Sequence, residues 1–263
     1  MINSEMEQGA SSSIASSLIE KSSSMEGYSL DKNPIVEALI ELRVKGPFRL
    51  NQLGPIVREI NYSNQEPINR MESIFTSGET VSASASHSKI GFKLSSENGF
   101  VAQIVENAIA VSKLAPYKHW EPFRAEAFRC WSIYAKALGI DKVLRVGVRY
   151  INRVHIPEVS FRLDKYFELY PELPDRFDGV PMNDFFMRLS IPQGNGGYLI
   201  LKQGTVFEGP EKKPYIVLDI DLGYDTPDGV SVEEAWNTVD ATRDLKNEIF
   251  RSLMTDKLEE LLK

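Results

Sequence analysis

Read along its length, the chain passes twice through the same order of apolar periods: a strand, a short helix, an antiparallel meander and a long helix. The first pass opens at Asn33-Pro34 with Ile35 to Val44. There Val36, Ala38, Ile40, Leu42 and Val44 share one face, and Glu37, Glu41 and Arg43 share the other. Leu50 to Ile60 follows with Leu53, Ile56, Val57 and Ile60 at helical spacing, and Pro55 is expected near the first turn of this short helix. Met71 to Leu114 reads as strands at Ile74-Phe75, Ile90/Phe92/Leu94 and Phe100 to Val111. Turn chemistry separates them at Ser77-Gly78 and Glu97-Asn98-Gly99. Trp120 to Leu138 then lays Phe123, Ala127, Trp131, Tyr134 and Leu138 on one stripe, with Pro122 in the first turn and Gly139 past the end.

The second pass begins with a strand from Val143 to Ile156, followed by a short helix over Ser160 to Tyr170. A meander runs from Phe185 through Tyr198–Gln203 to Tyr215–Leu222. A long helix from Val232 closes the chain, opened by the capping box Ser231…Glu234 and striped by Val232, Trp236, Val239, Leu245, Ile249 and Leu253. The halves share element order and little residue identity. Either half alone leaves a sheet face and a helix stripe uncovered, so the expected fold is one α+β domain over 33–263, made of pseudo-repeats 33–139 and 140–263. Its two sheets fuse into one curved antiparallel sheet packed against two long helices, a plan shared with TATA-binding-protein-like and helix-grip folds. Such a plan carries no function by itself.

Residues 1–32 are Ser-rich with no sustained apolar period, so they cannot bury enough surface to offset their ordering and are expected to be a disordered tail. They also lack the basic and apolar regions of a signal peptide, and no apolar run reaches the length of a membrane span. With Cys130 as the sole cysteine, no intrachain disulfide or multi-cysteine zinc site can form. A reducing, cytoplasmic setting is the expectation. Cys130 falls within an apolar helical pattern, where a buried thiol is the ordinary role. A net charge of −7 gives no general attraction for phosphate backbones or anionic lipid, which argues against nucleic-acid and membrane partners.

The segment Leu144 to His155 carries the most chemistry. Alternation puts Leu144, Val146, Val148, Tyr150 and Val154 on one face and Arg145, Arg149, Arg153 and His155 on the other, with Gly147 leaving room beside them. Guanidinium groups in line can hold a carboxylate, a phosphate or an acidic peptide through forked hydrogen bonds. They can equally pair with Glu37 and Glu41 if the first strand of each half lies at the pseudo-twofold, and the two roles are compatible. Asp219 and Asp221 share a face of their strand, as a divalent-cation site would require. Without a third ligand, they are expected to be ion-pair partners of arginines in the sheet. His119 at the mouth of the first long helix reads as a loop anchor or the flank of a pocket, and His87 has no evident partner. Gln193-Gly-Asn-Gly-Gly197 joins two strands, which is the wrong context for a phosphate-cradling loop. No catalytic set, metal site or cofactor motif emerges.

Several segments together carry a resemblance: Asn-Pro-Ile-Val-Glu37, Leu-Ala-Pro-Tyr-Lys-His-Trp-Glu-Pro-Phe123, Arg149-Tyr-Ile-Asn-Arg153, Leu218-Asp-Ile-Asp221 and Ile249-Phe…Thr255-Asp-Lys-Leu258. The chain resembles a sporadically distributed bacterial family of proteins of about this length, to which no function is attached. The resemblance implies an accessory cytosolic protein of the kind carried on mobile or defence islands, and brings no cofactor or catalytic residue. The expected function is a non-catalytic binding or interaction module. Its contact surface would be the Arg145/Arg149/Arg153 face, and its partner a protein or an anionic small molecule. A metal-dependent enzyme acting on a phosphate-containing substrate through Asp219 and Asp221 is the alternative, and nucleic-acid binding on the sheet a third.

Overall fold

The computed structural model describes residues 30–76, 82–158, 161–177, 184–208 and 213–263. The expected tail falls almost wholly outside them, as does the expected turn at Ser77-Gly78. In chain order the elements are β1 (Ile35–Arg43), α1 (Leu50–Ile60), β2 (Asn64–Thr76), β3 (Ser82–Ser95), β4 (Phe100–Val105), β5 (Ala108–Leu114) and α2 (Trp120–Leu138). Then come β6 (Lys142–Val154), β7 (Phe186–Gly194), β8 (Gly197–Glu208), β9 (Lys213–Ser231), α3 (Val232–Ser252) and α4 (Asp256–Leu262). Every strand joins one antiparallel sheet of order β2-β3-β4-β5-β1-β6-β9-β8-β7. The first strands of the two halves, β1 and β6, pair at its centre, and each half's meander extends outward from there. This is the fused, duplicated α+β plan expected from the sequence.

Alternation then sorts the side chains. Ala38, Ile40 and Leu42 of β1, Val146, Val148 and Tyr150 of β6, and Leu218, Ile220 and Leu222 of β9 are all buried beneath the helices. Two apolar clusters form there. One gathers α1, α2, β1, β3 to β5 and the start of β6; the other gathers the end of β6, β8, β9 and α4. Helix α3 spans both, giving Trp236 and Val239 to the first and Phe250 to the second. It is tied to α2 by a forked Arg124–Asp240 pair at 2.6 and 2.7 Å and by the Phe128–Trp236 edge contact.

Several local expectations hold. Gly139 takes the left-handed conformation after α2, Gly99 does so in its turn, and the Ser231 hydroxyl accepts from the Glu234 amide. Others need correction. Phe100 to Val111 is two strands, because Glu106-Asn107 turns the chain between β4 and β5. Pro55 sits mid-helix in α1; it lies on the solvent side, where water can serve the carbonyl that its missing N–H leaves free.

The second short helix is absent among the described residues of its span. They form one 3₁₀ turn, Leu163–Lys165. The adjacent Tyr166 and Phe167 are both fully buried; the Tyr166 carbonyl accepts from the Thr255 amide and the Glu168 amide donates to the Leu253 carbonyl, so backbone groups that a longer helix would use are paired outside it. The chain instead docks on α4 through Thr255 Oγ1, which donates to the Lys165 carbonyl at 2.7 Å. At the N-terminal side, Leu30 packs on the second cluster and the Lys32 amide donates to the Leu262 carbonyl, so the chain is anchored before Asn33. Among the described residues no helix is long and apolar enough to cross a membrane.

Candidate functional site

The helices that the structure describes pack on one face of the sheet. On the other face, the strand registers arrange side chains in rows that cross strand after strand. One row runs Pro192, Tyr198, Gly223, Gly147, Glu41, Ala110 and Gln103. The next runs Ser190, Ile200, Asp221, Arg149, Leu39 and Ser112, followed by Arg188, Lys202, Asp219, Ile151 and Glu37. A fourth runs Phe186, Gly204, Val217 and Arg153. All the expected charged residues except His155, which lies just beyond β6, fall on this face.

Arg149 lies opposite Asp221 in register, yet its Nε and Nη2 fork diagonally onto Asp219 at 2.8 and 2.7 Å. Lys202 Nζ donates to the same carboxylate at 2.9 Å, and Asp219 is only 4% exposed. One buried anion thus holds two cations together, and these hydrogen bonds raise the Arg149 pKa above its ordinary value. Burial pushes the Asp221 carboxyl up, against the pull of Arg149.

Arg145 packs against the Tyr198 ring at 5.3 Å and donates to its hydroxyl, with Glu41 at 3.7 Å and Asp225 at 3.8 Å. Gly223 makes room for this arrangement, since a Cβ there would run into the Tyr198 ring; a Cβ at Gly147 would meet Glu41 only at ordinary contact distance, so the room expected beside Gly147 is not what seats the arginine. Arg153 stacks on Tyr215 at 4.3 Å, and the His155 ring stands 5.4 Å from the same tyrosine. Glu41 therefore meets an arginine across the β1–β6 seam as expected. Glu37 instead accepts a hydrogen bond from Ser112 at 2.8 Å, because register sets it opposite Ile151.

The shared face of Asp219 and Asp221 is real, but Asp219 is committed to two cations. Among the described residues no group of three His, Cys, Asp or Glu side chains is placed to hold a metal ion. Cys130 is fully buried; burial pushes its thiol up to about 11, beside Tyr62 and Glu126. His119 is exposed at the start of α2 and lines a cleft of about 400 Å³ with Lys113, Phe100, Pro116 and Phe123. The side chain of His87 lies outside the described residues.

Sequence reasoning missed two features. Lys246 is 5% exposed under the sheet, its ammonium 3.9 Å from the centre of the Tyr150 ring, and burial beside Arg243 lowers its pKa to about 7. The signal was present, since Thr238, Thr242, Lys246 and Phe250 recur every fourth residue and all are buried, but that stripe is largely polar. The second feature is a cleft of about 170 Å³ at the end of β7, between Phe186, Val206, Val217, Lys202 and Asp219. Only pairing register brings these residues together, and the sequence alone does not disclose it. Compared with family models and with curated proteins, the chain finds no match in either.

Proposed function

We propose that this chain is a cytoplasmic, non-catalytic binding module whose contact surface is the sheet face opposite the helices, centred on β6 and β9. The observation that carries this reading is that face itself. It carries tyrosines and ordered charges among Leu39, Ile151, Ile200 and Val217, and the helices gather with the apolar clusters on the opposite face. Its charges are fixed in advance by cross-strand pairs, so a partner meets a pre-organised surface rather than mobile side chains.

The face carries carboxylates (Glu37, Glu41, Asp219, Asp221) among its cations, which suits a mixed-charge protein surface better than a phosphate backbone. The metal-enzyme reading is weaker for the same reason, since Asp219 already neutralises Arg149 and Lys202.

The test is parallel capture from host extract by tagged wild type and by an Ile151→Lys/Ile200→Lys variant, with folding checked by circular dichroism. Both substitutions place long side chains over the centre of the face, where Ile151 and Ile200 are half-buried. A component retained stoichiometrically by wild type and lost by the variant supports the reading. Equal retention by both, or none by wild type, sinks it.

A further inference from the structure

The cleft at the end of β7 has a built-in chemical preference. Its floor is Gly204, where an added Cβ would lie 2.9 Å from the Phe185 carbonyl oxygen and 3.2 Å from the Phe186 ring. Its apolar walls are Phe186, Val206 and Val217, and Phe186 is 73% exposed. The neighbouring row is cationic. Arg188 and Lys202 are direct cross-strand partners, a juxtaposition of like charges that disfavours pairing unless an anion sits between them. Asp219 and Asp221 are the anions near Lys202, but Asp219 already serves Arg149 as well as Lys202, Asp221 faces Arg149, and Arg188 is exposed. Arg153 continues the apolar row on the far side of Val217.

Volume decides what fits. A cavity of roughly 150 Å³ takes one benzene ring, whereas pockets for whole small molecules run from about 300 to 1,000 Å³. The cleft, at about 170 Å³, therefore takes a single side chain, and the remainder of any ligand lies outside it. The cleft opens on the sheet face above β7 to β9, so a chain crossing that face can set one side chain in it and its neighbours beside Arg188 and Lys202.

Resting on the binding-module reading and naming its ligand, we propose that this cleft anchors an acidic peptide segment of a partner protein. One aromatic or branched aliphatic residue fills the space against Phe186 and Val217, and flanking carboxylates are held by Arg188 and Lys202.

The test is fluorescence anisotropy with three labelled pentapeptides: Asp-Asp-Phe-Asp-Asp, Asp-Asp-Ser-Asp-Asp and Lys-Lys-Phe-Lys-Lys. The acidic aromatic peptide is expected to bind, with the other two weaker by about tenfold or more. The exposed-site variants Arg188→Glu and Phe186→Ala should each weaken it by a similar factor. Equal binding of all three peptides, no binding of the first, or unchanged binding by both variants overturns the proposal. So does free 3-phenylpropionate binding as tightly as the peptide, because the cleft would then be a small-molecule site. Failure here with partner capture on the face intact removes this proposal alone; failure of partner capture removes the binding-module reading and this proposal with it.

Discussion

Lys246 shows what one residue does to the stability of this fold. Its ammonium is buried against Tyr150 near Arg243, with Asp244 only partly compensating. The folded protein holds that proton with a pKa of about 7, against about 10.4 in the unfolded chain. Between those values the unfolded state binds more protons, so this residue's contribution to stability rises with pH and its penalty is complete below about 7. Lys246→Met should therefore raise stability at neutral pH by about 1–4 kcal/mol. The variant's advantage should shrink toward pH 10, because wild type then loses its penalty. Urea midpoints of both proteins across that window check this; a constant difference contradicts it.

Arg149 acts in the opposite sense. Truncating it leaves the buried Asp219 with Lys202 alone, so Arg149→Ala should cost about 1–3 kcal/mol. A double-mutant cycle with Asp219→Asn should show most of that cost as coupling. Additive losses would mean that the pair is incidental. The arginine stripe was legible from period two. Which carboxylate each guanidinium takes was not, because the choice depends on register between strands more than sixty residues apart.

Among the elements, the central strands and the long helices were legible because each has one buried face with a clean period, whereas Asn64 to Arg70 of β2, exposed except for half-buried Ile68, went unread. The failures fall where that condition lapses. The stripe of α3 turns through Thr242 and Lys246, which no apolar count finds, and the segment before Tyr166 buries adjacent aromatics by docking on α4. The β3–β4 pairing has its own vulnerable point at Gly91. A Cβ there would overlap the Ile104 carbonyl oxygen and press on Val105 Cα. Gly91→Ala must part the two strands locally and should cost about 1–3 kcal/mol. Gly54→Ala in α1, where the nearest atom is the end of the Arg58 side chain at 3.7 Å, should instead stabilise by about 0.5–1 kcal/mol. Denaturation midpoints decide, and an unchanged midpoint for Gly91→Ala contradicts the packing described.

At the scale of the whole molecule, duplication creates an asymmetry of faces. Each half brings its long helix to the same side, and the β1–β6 seam joins the other sides into one continuous surface. The first half contributes five strands and the second four, so β7 ends the sheet as an edge beside the cleft while β2 ends it on the opposite flank. The order of elements disclosed this plan, but not the composition of the far face, which is assembled from rows that no single segment contains.

Hydroxyl-radical footprinting of the tagged protein in host extract, against the purified protein, tests most directly whether that face is the one used. The account predicts that Tyr198 and Phe186 on the sheet face lose reactivity in extract, while Phe128 on α2, 44% exposed, keeps it. Protection of Phe128 with Tyr198 and Phe186 unchanged would place the contact on the helices and contradict the account.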